Sequence, residues 1–171
     1  QKGGKHHSWR SFLVEEIKHW VEDFVSVKHE TLNIIPCPFA KQAVMNDTIN
    51  YVHTERIGES LADLVDDWTD KYEVVVLYTE TELYSADEVS DIVERFNKLA
   101  MPRDIVALED HPDDPEILNG VEMNFGKAIL VLVQRLSKLN KASDILKKRG
   151  YYDDWPEENY NDVVAWRKLR T

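Results

Sequence analysis

The chain is poor in residues on which several common protein classes depend. Its 171 residues include 1 cysteine, Cys37, and 6 glycines. A single cysteine cannot form an intramolecular disulfide. The chain also has no glycine-rich phosphate loop, no nucleophile elbow and no paired Cys-x-x-Cys motif. Nucleotide-dependent ATPases and dehydrogenases are therefore disfavoured.

Positive charge and long apolar runs are scarce as well. The chain has 21 Lys and Arg against 32 Asp and Glu, which gives a formal net charge of -11. Such a charge repels phosphate backbones and anionic lipid surfaces, so we predict no nucleic-acid and no membrane partner. No apolar run approaches the roughly 18 to 20 residues that a membrane span needs. We predict a cytoplasmic protein in which residues 1–10 form a flexible tail and residues 11–171 form one domain.

The segments after the tail alternate between helical and strand patterns. Apolar residues recur at helical spacing in residues 11–27, and the runs INYVHT, EVVVLYT and DIVALE are typical of short strands. Helical patterns begin near Gly58 and after Ser85, and each lies between two of these runs. Connections that contain a helix favour parallel strand pairing.

The carboxy-terminal part reads as helical. The run AILVLVQRL predicts a helix over residues 128–139, a shorter helix follows over residues 142–148, and Pro156 opens a last one. Together these patterns predict an α/β fold. The expected architecture is a small three-layer sandwich with a short, mainly parallel sheet, an N-terminal helix and C-terminal helices.

The predicted strand ends carry acidic and imidazole side chains. In open parallel sheets, ligands bind beyond the carboxyl ends of the strands, so these side chains are expected along one rim of the sheet. Two histidines with several carboxylates can act as general acids and bases or bind a divalent metal. The alternative is that they are solvated charges and loop caps. The candidate binding residues are His53, Glu55, Asp113, Asp114 and Asn119.

Cys37 lies between two prolines, at the start of a helix predicted from Pro38. A thiolate at a helix amino terminus is stabilised by the helix dipole and by unpaired backbone amides. A Cys-Pro pair at a helix start resembles the active sites of thioredoxin-like and glutaredoxin-like proteins, but Ala40 stands where the second cysteine of a dithiol enzyme would be. Dithiol exchange is therefore excluded. The competing interpretation is that Cys37 is a small buried hydrophobic residue.

The stretch PCPFAKQA, followed by INYVHTE, resembles a bacterial family of unknown function that carries a Cys-Pro-Phe-Ala-Lys motif. The resemblance extends to the pair Trp20 and Val21 in the preceding helix and to the pair His111 and Pro112 after the third strand. Family members usually have an Asn-Arg-Ser-Pro run near the position of MNFGK, which this chain lacks. The resemblance implies a shared fold and a shared site that joins Cys37 to His111, but it brings no known reaction.

Two functional hypotheses follow. In the first, the protein is a small-molecule enzyme with a thiol- or metal-dependent site. There His111 favours the thiolate of Cys37, and Asp110, Asp113 or Asp114 orients the imidazole ring. In the second, the protein is a non-catalytic interaction domain with an acidic and aromatic surface, and Cys37 is structural. The expected partner is a small molecule or a protein. The sequence does not decide whether the protein is an enzyme, and it leaves a divalent metal open.

Overall fold

The computed structural model describes residues 2–168, with side chains from Trp9 onward. The chain divides into two compact units, Gln1–Asp47 and Thr48–Thr171. The sequence predicts no boundary within residues 11–171, because its composition does not change near Asp47. The division comes from the pattern of contacts, which composition does not report.

The first unit is helical. Helix α1 (Lys2–Trp20) continues into a π-helical turn, Val21–Val25, and helix α2 (Pro38–Met45) follows after a loop. Residues 2–10, which we predicted as a flexible tail, belong to α1. The predicted start of α2 is confirmed, because Pro38 is its first residue and Cys37 is its N-cap. Proline is favoured at this position, since its fixed φ suits a helix and the missing N–H would have no partner there.

The second unit contains all of the strands in the described residues. They are β1 (Ile49–His53), β2 (Val74–Thr79), β3 (Ile105–Asp110), β4 (Ile117–Leu118), β5 (Val121–Glu122) and β6 (Ile129–Arg135). Four of them form one sheet in the order β1-β2-β6-β3, and β4 pairs with β5 in a separate hairpin. The three runs predicted as strands are therefore confirmed as β1, β2 and β3.

Helices connect and cover these strands. They are α3 (Ile57–Asp66), α4 (Ala86–Ala100), α5 (Leu136–Lys148), α6 (Glu157–Tyr160) and α7 (Trp166–Lys168). The predicted capping box of α4 is confirmed, because the Ser85 side chain accepts from the backbone of Glu88 while the Glu88 side chain accepts from the backbone of Ser85. Within residues 2–168, no helix is both long and apolar enough to cross a lipid bilayer.

The predicted helix over residues 128–139 is wrong. Ile129–Arg135 is a strand, and α5 begins only at Leu136. A short, continuous apolar run fits a buried strand and a buried helix equally well, and periodicity alone does not separate them. The run lies between β2 and β3, where most of its residues are buried, and its Ile and Val residues suit that position.

Because β6 enters the sheet, the strand directions differ from the mainly parallel arrangement that we expected. β1 and β2 are parallel, but β6 is antiparallel to both of its neighbours, β2 and β3. The sheet is therefore mixed, although β1, β2 and β3 all point in one direction as predicted. The α/β class is confirmed. Because β6 separates β2 from β3, it also leaves β3 at one edge of the sheet.

Apolar side chains cover both faces of this sheet. On one face, Val75, Leu77 and Ala107 belong to a core cluster with Leu61 of α3 and Val89 of α4. On the other face, Val106 packs in a second cluster with Leu136 and Leu139 of α5, against which Trp166 also packs. Alternate residues of β3 thus point to opposite layers, and helices lie on both sides of the sheet.

Candidate functional site

A cavity of about 620 Å³ lies in the second unit, beside the edge strand β3. This volume is within the range of small-molecule sites. Four segments contribute to its wall: α4, β3 with His111, the loop that contains the β4-β5 hairpin, and the C-terminal helical segment. The lining residues are Ala86, Ser90, Val93, Glu94, Asn97, Ala107, Leu108, Glu109, His111, Asp114, Glu116, Asn124, Asn161, Asp162, Val163 and Trp166.

Carboxylates dominate the charge of this cavity. Glu94 comes from α4, Glu109 from β3, Asp114 and Glu116 from the hairpin loop, and Asp162 from the C-terminal segment. Of the described residues that line the wall, none is a lysine or an arginine. The fold therefore brings together acidic groups from distant parts of the sequence, and a described cation beside them is Lys98, whose Nζ lies 3.9 Å from the Glu94 carboxylate without lining the cavity.

Two carboxyls of the cavity wall have raised pKa values. The pKa of Glu109 is raised, first because its carboxyl is desolvated and also because Asp114 and Glu94 are negative neighbours, against the effect of a hydrogen bond with the Ser90 side chain. Desolvation likewise raises the pKa of Glu116, and the charges of Asp162 and Asp114 add to the effect. Both shifts mean that negative charge in the cavity is unfavourable without a counter-charge.

His111 is buried at this wall, with 3% of its surface exposed, and both of its ring nitrogens are engaged. Its Nδ1 accepts from the backbone N–H of Asp113 at 3.0 Å, and its Nε2 donates to the backbone carbonyl of Tyr84 at 2.8 Å. A backbone N–H can only donate and a carbonyl can only accept, so the two bonds fix one neutral tautomer. The ring adds no positive charge to the cavity and ties the end of β3 to the segment before α4.

Of the aspartates expected to orient the His111 ring, Asp113 bonds to it through its backbone N–H, whereas Asp110 does not hydrogen-bond to it. The Asp110 carboxylate accepts from the Asn124 side chain at 3.1 Å and from the backbone N–H of Phe125 at 3.3 Å. The residue is 8% exposed. Desolvation raises the pKa of Asp110 from 3.8 to about 6, against the effect of these two hydrogen bonds. Asp110 therefore holds the far end of the hairpin loop to the end of β3.

Two asparagine side chains hold the hairpin loop in place. Asn124 accepts from the backbone N–H of Glu116, and Asn119 donates to the backbone carbonyl of Asp154 at 3.2 Å. Of the predicted binding residues, Asp114 lines the cavity, whereas Asn119 and Asp113 do not. Asn119 connects the hairpin tip to the C-terminal segment.

The other predicted binding residues, His53 and Glu55, lie at the end of β1, outside the cavity wall. Nε2 of His53 is 3.3 Å from both carboxylate oxygens of Glu80, and its ring contacts Tyr78 edge to face. Glu55 is exposed, and its backbone carbonyl accepts from the Tyr84 hydroxyl. His53 and Glu55 are thus not brought together with Asp114 in this cavity.

Cys37 belongs to the first unit. It is half-buried at the start of α2, and its backbone N–H donates to Val25 at 2.9 Å. The predicted pairing with His111 joins residues of the two units and stays a prediction. For a metal, the described residues include no group of three or more His, Cys, Asp or Glu side chains arranged to hold an ion.

Aromatic residues near the C-terminus pack mainly on one another. Tyr151, Trp155 and Tyr160 surround Tyr152 with ring centroids 4.8, 5.0 and 5.3 Å away, each nearly perpendicular to it. Edge-to-face pairs of this kind stabilise the segment that carries them. The acidic and aromatic surface predicted here therefore has an internal structural role, and partner binding by it stays a prediction.

Sequence reasoning missed most of the cavity. Glu94, Glu116, Asp162 and Trp166 lie in three segments whose local patterns indicate only solvated helix faces or loops. A correct strand assignment for residues 129–135 would have placed β3 at the edge and drawn attention to the groups around it. No family model, no curated protein and no solved structure matches this chain.

Proposed function

We propose that the protein binds a small organic cation, with an ammonium or guanidinium group, in the cavity beside β3. The observation that carries the proposal is the charge of the wall, which has five carboxylates, a neutral imidazole and no lysine or arginine among its described residues. A cation placed among these groups favours the charged form of Glu109 and Glu116, whose pKa values are raised first by desolvation and then by the neighbouring carboxylates.

The apolar part of the wall limits the ligand further. Val93, Leu108, Val163 and Trp166 line the same space as the carboxylates. Ligand sites commonly combine an apolar lining with a few polar groups that fix orientation. A hydrocarbon body that carries a charged amine satisfies both parts, whereas a bare inorganic cation leaves the apolar wall unfilled.

This proposal keeps the small-molecule part of the first sequence hypothesis and does not use its thiol chemistry. Both ring nitrogens of His111 already have partners in the second unit. An imidazole that accepts a proton at Nδ1 would first have to give up its bond from Asp113. Binding is therefore proposed without a reaction.

The test compares three ligands of one shape by NMR titration of the labelled protein. We expect n-butylamine to shift the resonances of Glu109 and of the Trp166 indole, and n-butanol and butyrate to leave them unchanged. Added salt should weaken the binding, since part of its free energy is electrostatic. Equal shifts with all three ligands, or none with n-butylamine, would refute the proposal.

A pair of matched variants separates the wall from general surface charge. Glu109→Gln should weaken n-butylamine binding about three- to tenfold, the effect of one partly exposed ion pair. Glu82→Gln removes an exposed carboxylate outside the cavity and should leave the affinity unchanged. A similar loss in both variants would mean that only the net charge of the protein matters.

A further inference from the structure

The floor of the cavity is the outer edge of β3. In the sheet order β1-β2-β6-β3, this strand pairs with β6 on one side only. An edge strand presents unpaired backbone N–H and C=O groups on its other side, where a further strand can add. Along β3, some of these outward-facing groups already have hydrogen-bond partners and others do not.

At Ala107 the outward-facing backbone N–H and C=O already have hydrogen-bond partners. The Asn97 side chain of α4 accepts from the Ala107 N–H at 2.9 Å and donates to the Ala107 carbonyl at 3.0 Å. Asn97 is 2% exposed, so this pairing is buried. One side-chain amide thus makes the two bonds that a neighbouring strand would make, and it stops any added strand at this residue.

At Glu109 the part of the chain that the structure describes leaves the outer edge open. In an antiparallel pair, the residues whose backbone groups point away from the partner alternate, so Glu109 faces the same way as Ala107. Among the described residues, no backbone hydrogen bond outside the regular elements involves Glu109. Glu109 also lines the cavity. Its N–H and C=O therefore face the space in which we propose that a cation binds.

The walls of this space suit an extended chain. α4 contributes Ser90 and Glu94 on one side, and the C-terminal segment contributes Asp162 and Val163 on the other. A residue added opposite Glu109 would exchange two backbone hydrogen bonds with it and would place its side chain on the same face as the Glu109 carboxylate. The charge of the wall requires that side chain to be basic.

We infer that the ligand of this cavity is a short extended peptide segment of a partner protein, which pairs with the β3 edge at Glu109 and places a lysine or arginine side chain among the carboxylates. The inference rests on the proposed function and names its partner. Addition of a strand to a free sheet edge gives affinity through main-chain bonds and specificity through side-chain pockets. Here Asn97 fixes the register, because pairing cannot continue past Ala107.

The test uses ligand variants, so that the protein itself is unchanged. The probe is acetyl-Val-Lys-Val-amide, compared with the same peptide N-methylated at the lysine nitrogen and with a norleucine peptide in place of lysine. We expect the lysine peptide to bind about tenfold more tightly than n-butylamine. N-methylation of the lysine nitrogen, or replacement of lysine by norleucine, should each weaken the peptide by about this factor. The Glu109 amide should also exchange more slowly with solvent when the lysine peptide is bound.

The outcomes separate the two proposals. If n-butylamine binds and the lysine peptide binds no better, with no effect of N-methylation, the peptide inference is overturned and the cation site stands. If neither ligand binds, both are overturned. Glu109→Gln should weaken the lysine peptide but not the norleucine peptide, while Glu82→Gln should change neither. Equal weakening of both peptides by Glu109→Gln would count against the paired lysine.

Discussion

Asp110 is expected to make the second unit less stable as the pH rises towards neutrality. Its carboxyl is buried, and its pKa is raised from 3.8 to about 6, with desolvation as the largest cause. The folded protein therefore holds this proton more tightly than the unfolded chain does. The resulting stabilisation is fully present below about pH 4 and is lost as the pH rises through about 6.

The magnitude follows from the two pKa values. A difference of about two pH units between the folded and unfolded pKa corresponds to about 3 kcal/mol of unfolding free energy. Asp110→Asn keeps the shape of the side chain and removes its titration. The Asn amide offers one acceptor oxygen to Asn124 and Phe125 instead of two, which costs about 1 to 3 kcal/mol. Because the amide does not titrate, this cost is the same at every pH and shifts the difference between the two proteins by a constant.

The assay is urea unfolding of both proteins, followed by circular dichroism from about pH 4 to pH 7. The unfolding free energy of Asp110→Asn minus that of the wild type should rise by about 2.5 kcal/mol over this range. Subtraction cancels the other carboxylates, including Glu109 and Glu116. A difference that stays constant within about 0.5 kcal/mol, or that falls with pH, would refute the reasoning. A carboxyl NMR titration of the wild type should give a midpoint for Asp110 near 6, and a midpoint below 4 would contradict it as well.

Two further predictions concern the edge and the hairpin. Asn97→Ala leaves the buried N–H and C=O of Ala107 without partners, so it should lower the free energy of urea unfolding by about 2 to 4 kcal/mol. The control, Asn161→Ala, changes an exposed residue of the same cavity and should lower the free energy of unfolding by about 0.5 kcal/mol or less. Equal costs would mean that the Asn97 bonds do not hold the edge. Gly120→Ala should cost about 1 kcal/mol, because Gly120 (φ +83°) and Asn119 form a two-residue hairpin turn with positive φ at both residues. An unchanged midpoint would contradict this turn.

Much of the fold could be predicted from local patterns. The N-cap at Ser85, the proline at the start of α2 and the buried β-branched run of β2 each depend on interactions within a few residues. Such interactions can be predicted from the order of neighbouring residues alone. The apolar run of β6 was assigned wrongly because its strand state depends on β2 and β3, which lie far from it in the chain.

The candidate site was predictable only in part. The rule for strand ends drew attention to Asp110 and His111, because those residues lie at the end of a recognisable strand. It could not show that Asp110 bonds to Asn124, or that both nitrogens of His111 are used. These contacts join residues whose spacing follows no local period, so only the folded chain reveals them.

The sequence by itself determined the α/β class, the acidic charge and the first three strands, since composition and short-range periodicity follow directly from the residues. Only the tertiary structure decided that β6 enters the sheet, that β3 becomes an edge and that carboxylates from α4, β3, the hairpin loop and the C-terminal segment surround one cavity. The physical reason is that strand order and the convergence of charges depend on pairing between segments far apart in the chain. The free energy of that pairing depends on both partners and cannot be read from either segment alone.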